Sequence, residues 1–269
     1  MHKLGSVRFN ELNHHLPKLQ LLEVFPLTPF LAHSEDMTTF DVGANTGLWS
    51  EAFLKTQGQR ITRHLMFEPM QGNLDQLARR DGNILSRLTP STEIISAAVG
   101  AEQGEVKIHF DKEATTLASV SNTKSDLGHR VIELANSRTV PLTTVDAEMA
   151  LREIERLDLL KIDVEGYEMN VLNGAETALR AGRIRNVFFE FGVHQTQNGE
   201  RFKDFFEYLS QFGFTLYKSS RGRNFFGVAR VNRYSPHLEP EDKTVEMILA
   251  SRDGPSEAYR GPNVVGQIN

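Results

Sequence analysis

Lys161, Asp163 and Glu165 alternate along Leu159-Leu160-Lys161-Ile162-Asp163-Val164-Glu165, a stretch that is otherwise apolar. If the stretch is a strand, these three side chains point one way and Ile162 and Val164 the other. Three charges on one side of a buried strand are costly unless they are paired or face a cleft. A carboxylate facing a cleft can orient a hydroxyl and remove its proton as a new bond forms at oxygen. Asp163 is therefore the first candidate for an acceptor-positioning group or base. Lys161 either belongs to that constellation or serves as an ion-pair partner of Asp163. Glu165, before Gly166, either joins the site or introduces the next helix, where a negative charge suits the N-terminus. Glu190 ends a later apolar run and His194 follows it closely, so both can reach the same edge. His194 is a candidate base because an unperturbed imidazole titrates near pH 6.5. Asp163, Glu190 and His194 also have the donor types of a divalent-ion site, although nothing in their spacing requires a metal.

A second group of residues has the character of a nucleotide site. Phe40-Asp41-Val42 is a short apolar run with one carboxylate, and Gly43-Ala44-Asn45-Thr46-Gly47 follows it before the helix-like Leu48 to Leu54. Glycines at such a junction let a ligand approach the backbone, and the first helical N–H groups point at it. About 20 residues further on, Phe67-Glu68-Pro69 places a carboxylate at the end of a second strand, where it can accept hydrogen bonds from ribose hydroxyls. The turn lacks the Gly-x-Gly-x-x-Gly of a pyrophosphate-binding loop and the lysine of a P-loop, which disfavours nicotinamide cofactors and nucleoside triphosphates. Asp41 beside the turn is unwelcome to a pyrophosphate but suits an ammonium. S-adenosylmethionine, with its ribose, ammonium and sulfonium, fits this set.

Residues of this kind must sit on strands that alternate with helices. The pattern predicts strands at Thr39–Val42, His64–Phe67, Glu93–Val99, Asp158–Val164, Val187–Phe191, Phe214–Lys218 and Val245–Ser251. Helices are expected at Leu48–Lys55, Gly72–Arg80, Glu168–Leu179 and Arg201–Gln211. Alternation of this sort implies parallel pairing through right-handed crossovers. Val106–Phe110 and Thr139–Leu142 read as strand segments around a polar loop, about 111–138. Choosing Val245–Ser251 over Asn224–Arg230 as the last strand leaves 219–243 as a long connection. Its Arg221, Arg223, Arg230 and Arg233, with Phe225, Phe226 and Tyr234, suit either a cover over the acceptor or a solvated loop. The adjacent His14 and His15 do not converge on one helical face and are read as solvent-facing or partly packed.

The 269 residues are 39% hydrophobic and 24% charged, the composition of an ordinary globule large enough for one sizeable core. A net charge of -5 argues against a general nucleic-acid binder. The absence of cysteine removes disulfides and thiol nucleophiles. No stretch approaches a membrane span, the start lacks a secretion signal, and the expected address is cytoplasmic.

Five blocks in order resemble the sequential motifs of the FkbM-like methyltransferases: Asp41 to Gly47, Phe67-Glu68-Pro69, Ser96 to Gly100, Thr144-Val145-Asp146, and Leu160 to Glu168 with Leu172 to Ala175 following. The resemblance covers about Thr38 to Phe191. It implies a class I methyltransferase (Rossmann-like) α/β fold, with a mainly parallel seven-stranded sheet, helices on both faces and an antiparallel last strand. It also implies S-adenosylmethionine as donor and usually O-methylation of a sugar or another hydroxylated small molecule. By the same resemblance Asp41, Gly43, Ala44, Asn45, Thr46 and Gly47 hold the methionine part. Glu68 and Pro69 lie at the ribose, Ser96 and Ala97 by the adenine, and Asp163 faces the donor methyl.

The expected organisation is a cap segment over residues 1–37, the methyltransferase domain over 38–252 and a tail over 253–269. The leading expectation is O-methylation of a small-molecule hydroxyl. The alternatives are a nitrogen acceptor with the same donor, or a cofactor-binding scaffold without turnover.

Overall fold

Apolar runs of four to seven residues, flanked by turn residues, set the strands, and they are joined by helices with one apolar stripe. A computed structural model describes residues 24–83, 85–89, 91–113, 118–120, 124–126, 131–222, 225–231, 245–256 and 265–268. The first half contains α1 (Thr28–Leu31), β1 (Met37–Val42), α2 (Leu48–Gln57), β2 (Ile61–Phe67), α3 (Gln71–Asn83) and β3 (Thr92–Ile95). Five short strands follow: β4 (Ala98–Val99), β5 (Gly104–Phe110), β6 (Lys124–Asp126), β7 (Val131–Glu133) and β8 (Asn136–Thr143). The second half holds α4 (Val145–Leu151), β9 (Leu159–Ile162), α5 (Glu168–Asn173), α6 (Glu176–Arg180), β10 (Asn186–Gly192), α7 (Val193–Gln197) and α8 (Phe202–Ser210). It ends in β11 (Thr215–Gly222), β12 (Phe225–Val231), β13 (Val245–Ser251) and β14 (Val265–Ile268).

Seven strands form the expected sheet in the order β3-β2-β1-β9-β10-β13-β11, and β12 and β14 extend it beyond β11. Pairing is parallel from β3 to β10, whereas β13 runs antiparallel to both β10 and β11. This is the class I methyltransferase arrangement. Side-chain alternation divides the core between the two faces. Val187, Phe189 and Phe191 of β10, with Leu160 and Ile162 of β9, pack under α4, α5, α6 and α8. Phe188, Leu159 and Met66 pack on the other face with α1, α2 and α3. Helix α8 shows how: Phe202, Phe205 and Leu209 are buried at helical spacing, each worth roughly 1.5–3 kcal/mol of apolar burial.

The structure corrects several sequence boundaries. Glu93–Val99 is not one strand, because Ala97 N–H turns back to the Ile95 carbonyl at 3.0 Å and sends β4 to pair with β8 in a second sheet, β4-β8-β5. The polar loop 111–138 contains the antiparallel pair β6 and β7, and Ser119 bridges to His109. The expected helix over 168–179 breaks at Gly174, where a Cβ would lie 1.9 Å from the Gly100 carbonyl oxygen. That approach ties the helical layer to the second sheet. The connection 219–243 also fails as a single loop, since β11 and β12 form an antiparallel hairpin from Leu216↔Val231 to Gly222↔Phe225. Arg221, Arg230, Phe225 and Phe226 are therefore strand residues, while Arg223, Arg233, Tyr234, His14 and His15 lie outside the described residues. Among the described residues no helix is long and apolar enough to cross a membrane.

Candidate active site

Strands β1, β2, β3 and β9 end on the same edge, and a cavity of about 270 Å³ opens there. The turn after β1 forms one wall. Gly43 and Gly47 both have φ of +78°, and Asn45 has φ of +50°. The N–H groups of Gly43 and Ala44 donate to the Phe67 carbonyl at 3.0 Å each, which locks the turn onto the end of β2. A Cβ on Gly43 would sit 1.8 Å from the Asp163 carbonyl oxygen, so only glycine allows β1 and β9 to end this close together. Arg80 secures the far side of the turn, with Nε donating to the Thr46 carbonyl at 2.7 Å.

Beneath the turn, a polar network runs through the face occupied by α2. Thr39, Asp41, His64 and Lys161 reach this face by strand alternation, and Ser50 meets them from the helix. Lys161 Nζ lies 2.8 Å from Asp41 Oδ1, donates to the Gly43 carbonyl at 3.0 Å, and stands 3.4 Å from Asp163 Oδ2. Its ammonium also lies 5.6 Å from the centre of the Trp49 ring. Ser50 Oγ donates to Asp41 and lies 2.8 Å from His64 Nε2, while Thr39 Oγ1 meets His64 Nδ1 at 2.8 Å. Burial lowers the His64 pKa to about 4 despite the nearby Asp41 charge, so the imidazole is neutral at physiological pH.

Glu68 stands at the end of β2. One carboxylate oxygen accepts the Asn45 N–H at 2.9 Å, and the other accepts the Met70 N–H at 2.8 Å and the Asn73 amide at 3.3 Å. Burial pushes its pKa up to about 7 against those donors. Ala97, Ala98 and Val99 continue this side of the cavity, and Ile108, Ala118 and Val120 from the region of the second sheet close it.

The opposite side is the loop from Asp163 to Tyr167. Glu165 has φ of +55° and Gly166 has φ of +98°. A left-handed conformation is rare for a residue with a Cβ and persists where its surroundings hold it. Here Ser119 Oγ donates to the Glu165 carbonyl at 2.9 Å, and Asn198 Nδ2 donates to the Gly166 carbonyl at 2.7 Å. The buried Glu168 carboxylate accepts the N–H groups of Val164 at 3.0 Å and Gly166 at 3.1 Å, and it also accepts the Gln195 side-chain amide. Burial raises Glu168 to a pKa of about 7. Glu165 Oε2 lies 2.9 Å from His194 Nε2. Burial, joined by the Asp163 charge, raises the Glu165 pKa against the hydrogen bond from His194. Burial works to lower His194, but Glu165, Glu168 and Asp163 more than reverse it.

Comparison with known proteins decides the family. The Methyltransferase FkbM domain matches residues 41–216, which hold the turn, Glu68, the 163–168 loop and His194. The chain belongs to this family. Membership implies S-adenosylmethionine as methyl donor. The chain is 24% identical over 226 residues to the AMB antimetabolite synthetase AmbE of Pseudomonas aeruginosa, covering 74% of this chain and 10% of the synthetase. Among solved structures, methyltransferase FkbM from Methylobacillus flagellatus is 15% identical, with a TM-score of 0.48 over 81% of this chain and 44% of that one. A tRNA (m1A22) methyltransferase assigned from Streptococcus pneumoniae, in complex with S-adenosyl-L-methionine, is 12% identical, with a TM-score of 0.44 over 95% and 75% of the two chains. This chain thus spans a tenth of the curated relative and under half of the first structural one.

Within this FkbM domain the cavity gathers most of the residues singled out from sequence. Gly43, Ala44, Asn45, Thr46, Glu68, Pro69, Ala97, Lys161, Asp163 and Glu165 all line it. Asp41 and Gly47 are buried behind the turn, and Ser96 is exposed outside the lining. His194 sits behind Glu165, and Glu190 is half-buried on β10 away from the lining. Among the described residues no group of three His, Asp or Glu side chains is placed to hold a metal ion. Sequence reasoning missed Trp49, Asn73, Tyr167, Glu168 and Gln195. Trp49 had a visible signal, being the only tryptophan and lying two residues beyond the glycine turn. Gln195 had none, because its role depends on a pairing with Glu168 across the fold.

Proposed function

We propose that this chain is an S-adenosylmethionine-dependent O-methyltransferase whose acceptor is a hydroxyl on a sugar or another glycosylated or secondary-metabolite small molecule. One observation carries the reading. A single cavity at the carboxyl edge joins a ribose-type carboxylate, Glu68, to a second carboxylate pair, Asp163 and Glu165. The cavity suits the donor chemically: the turn from Gly43 to Thr46 offers backbone groups to an amino-acid moiety, and Glu68 offers two oxygens to a ribose diol. When bound, S-adenosylmethionine supplies a methyl group on a sulfonium.

The chain's own residues do the remainder. The turn and Glu68 fix the donor, the apolar wall at Ile108 and Val120 excludes water, and Asp163 orients the acceptor hydroxyl for an in-line approach. Lys161 is the only cation lining the cavity among the described residues, and its ammonium is engaged by Asp41 and the Gly43 carbonyl. An uncharged, hydroxyl-rich acceptor suits that lining better than a phosphate or carboxylate. The partial match to an antimetabolite synthetase supports a secondary-metabolite acceptor.

Calorimetry with S-adenosylmethionine, S-adenosylhomocysteine and NADH tests the donor, with binding of the first two expected. Transfer from methyl-labelled donor to methyl glucoside, mannoside and galactoside, with fragmentation of the product, tests the acceptor. A label on nitrogen when amino-sugar analogues are added, with none on oxygen, would reverse the assignment of acceptor atom. NADH binding alone would overturn the whole reading.

A further inference from the structure

We infer that Glu165, held from behind by His194, receives the proton of the acceptor hydroxyl while Asp163 orients that hydroxyl. This rests on the methyltransferase reading and specifies its proton acceptor. The usual order of a carboxylate–histidine pair is inverted here. Glu165 lines the cavity with 23% of its side chain exposed, whereas the His194 side chain is 8% exposed and does not line it. The carboxylate therefore meets the acceptor, and the imidazole is a positioning residue.

Three observations separate Glu165 from Asp163. Glu165 occupies a left-handed conformation held through its own carbonyl and through both faces of Gly166, the kind of local strain that recurs at functional sites. Asp163 faces the Lys161 ammonium at 3.4 Å, an ion pair that occupies one carboxylate oxygen and fixes the group for positioning. Glu165 instead faces an imidazole. Among the described residues, His194 Nδ1 is buried without a hydrogen-bond partner. A hydrogen there would be a stranded donor, so the neutral ring carries its hydrogen on Nε2 and donates it to Glu165 Oε2. That leaves Oε1 for the acceptor. As the acceptor oxygen's lone pair forms the bond to the methyl carbon, the sulfur–carbon bond pair stays on sulfur and the hydroxyl proton passes to Oε1. The proton later leaves to solvent through the cavity.

The charged groups facing this pair are Asp163, Lys161 and Glu168. Burial, joined by the Asp163 charge, keeps a proton on Glu165 to higher pH than an isolated carboxylate would, so the rise of kcat with pH should lie above the ordinary carboxylate range. Removing the His194 donor takes away a group that favours ionised Glu165, and the rise should move to higher pH.

The test uses Glu165→Gln, His194→Ala and His194→Gln in the full chain, the last keeping an N–H donor at the Nε2 position. Cofactor affinity is read by calorimetry with S-adenosylmethionine, and turnover by methyl transfer to the best of the three methyl glycosides. The His194 ring is titrated by nitrogen-resolved NMR without cofactor. Glu165→Gln should keep affinity within about twofold and lose at least roughly 100-fold in kcat. His194→Ala should shift the pH profile upward, His194→Gln should recover most of the turnover, and the His194 pKa should fall in Glu165→Gln. Wild-type turnover in Glu165→Gln, an unmoved profile in His194→Ala, or an unmoved His194 titration each overturns the inference while leaving the donor assignment intact. Failure of folded wild-type protein to bind S-adenosylmethionine overturns both.

Discussion

Strand β9 is flanked by Asp158 at its amino end and Asp163 at its carboxyl end, and the two carboxylates have opposite surroundings. Asp158 is 1% exposed and accepts the Ser34 hydroxyl at 2.8 Å and the Thr38 N–H at 3.1 Å, with Arg156 and Arg185 at 3.2 and 3.8 Å. Every direction around it is closed by protein. Asp163 has 38% of its side chain exposed to a cavity and, among the described residues, a single ion-pair partner at 3.4 Å. The difference teaches that charge at a strand end does not by itself mark a site. A charge closed in by donors holds the fold together, and a charge left open to a concavity can hold a ligand.

The largest expected effect tests how far the carboxyl edge also serves stability. Lys161→Met leaves Asp41 buried without its cation, and urea unfolding should show a loss of about 3–5 kcal/mol. A loss below about 1 kcal/mol would mean that Ser50 alone satisfies Asp41. Next, Asp158→Asn should cost roughly 1–3 kcal/mol in the same assay while leaving S-adenosylmethionine affinity unchanged in the folded fraction. Weakened cofactor binding by fully folded Asp158→Asn would break the division between the two edges.

Glu68 gives a smaller effect that carries a sign. Its folded pKa of about 7 exceeds the unfolded value of 4.5, so the folded state holds a proton that the unfolded chain releases between those limits. Its stability contribution is greatest below pH 4.5 and is lost as pH rises through 7. Ribose hydroxyls donate to the ionised form, so calorimetry should give roughly tenfold tighter S-adenosylmethionine binding at pH 8 than at pH 6. Glu68→Gln should bind more weakly and flatten that dependence. The smallest effect belongs to Arg156, half exposed at the amino edge. Arg156→Ala should change stability by about 0–1 kcal/mol, and a larger loss would show that Asp158 relies on this one partner.

Much of the site was legible because local chemistry fixes it. The turn needs glycine at positions 43 and 47 for its positive φ values, and a strand-end carboxylate before Pro69 can serve a ribose wherever the sheet is parallel. Apolar runs at 187–191 and 159–162 mark strands buried on both faces. Phe214–Lys218 and Asn224–Arg230 were strand-like in sequence, but their pairing as the hairpin β11–β12 was not legible, since a strand's partners are set by its neighbours in the sheet. The charges of the 161–165 stretch were visible, but their division was not. Strand β9 stops at Ile162, so Lys161 turns under the glycine turn to meet Asp41, while Asp163 and Glu165 follow the loop into the cavity.

The sequence by itself determined the alternation of strands and helices, the turn between β1 and α2, and the residue types at the carboxyl edge. These depend on φ preferences, hydrophobic period and functional groups that each residue carries wherever it is placed. Only the tertiary structure decided which charges are closed in and which are open, that His194 stands behind Glu165, and that Gln195 and Glu168 hold the loop between them. Those outcomes depend on distances between residues far apart in the chain, and on the burial that sets the cost of each charge, neither of which is a property of any local stretch.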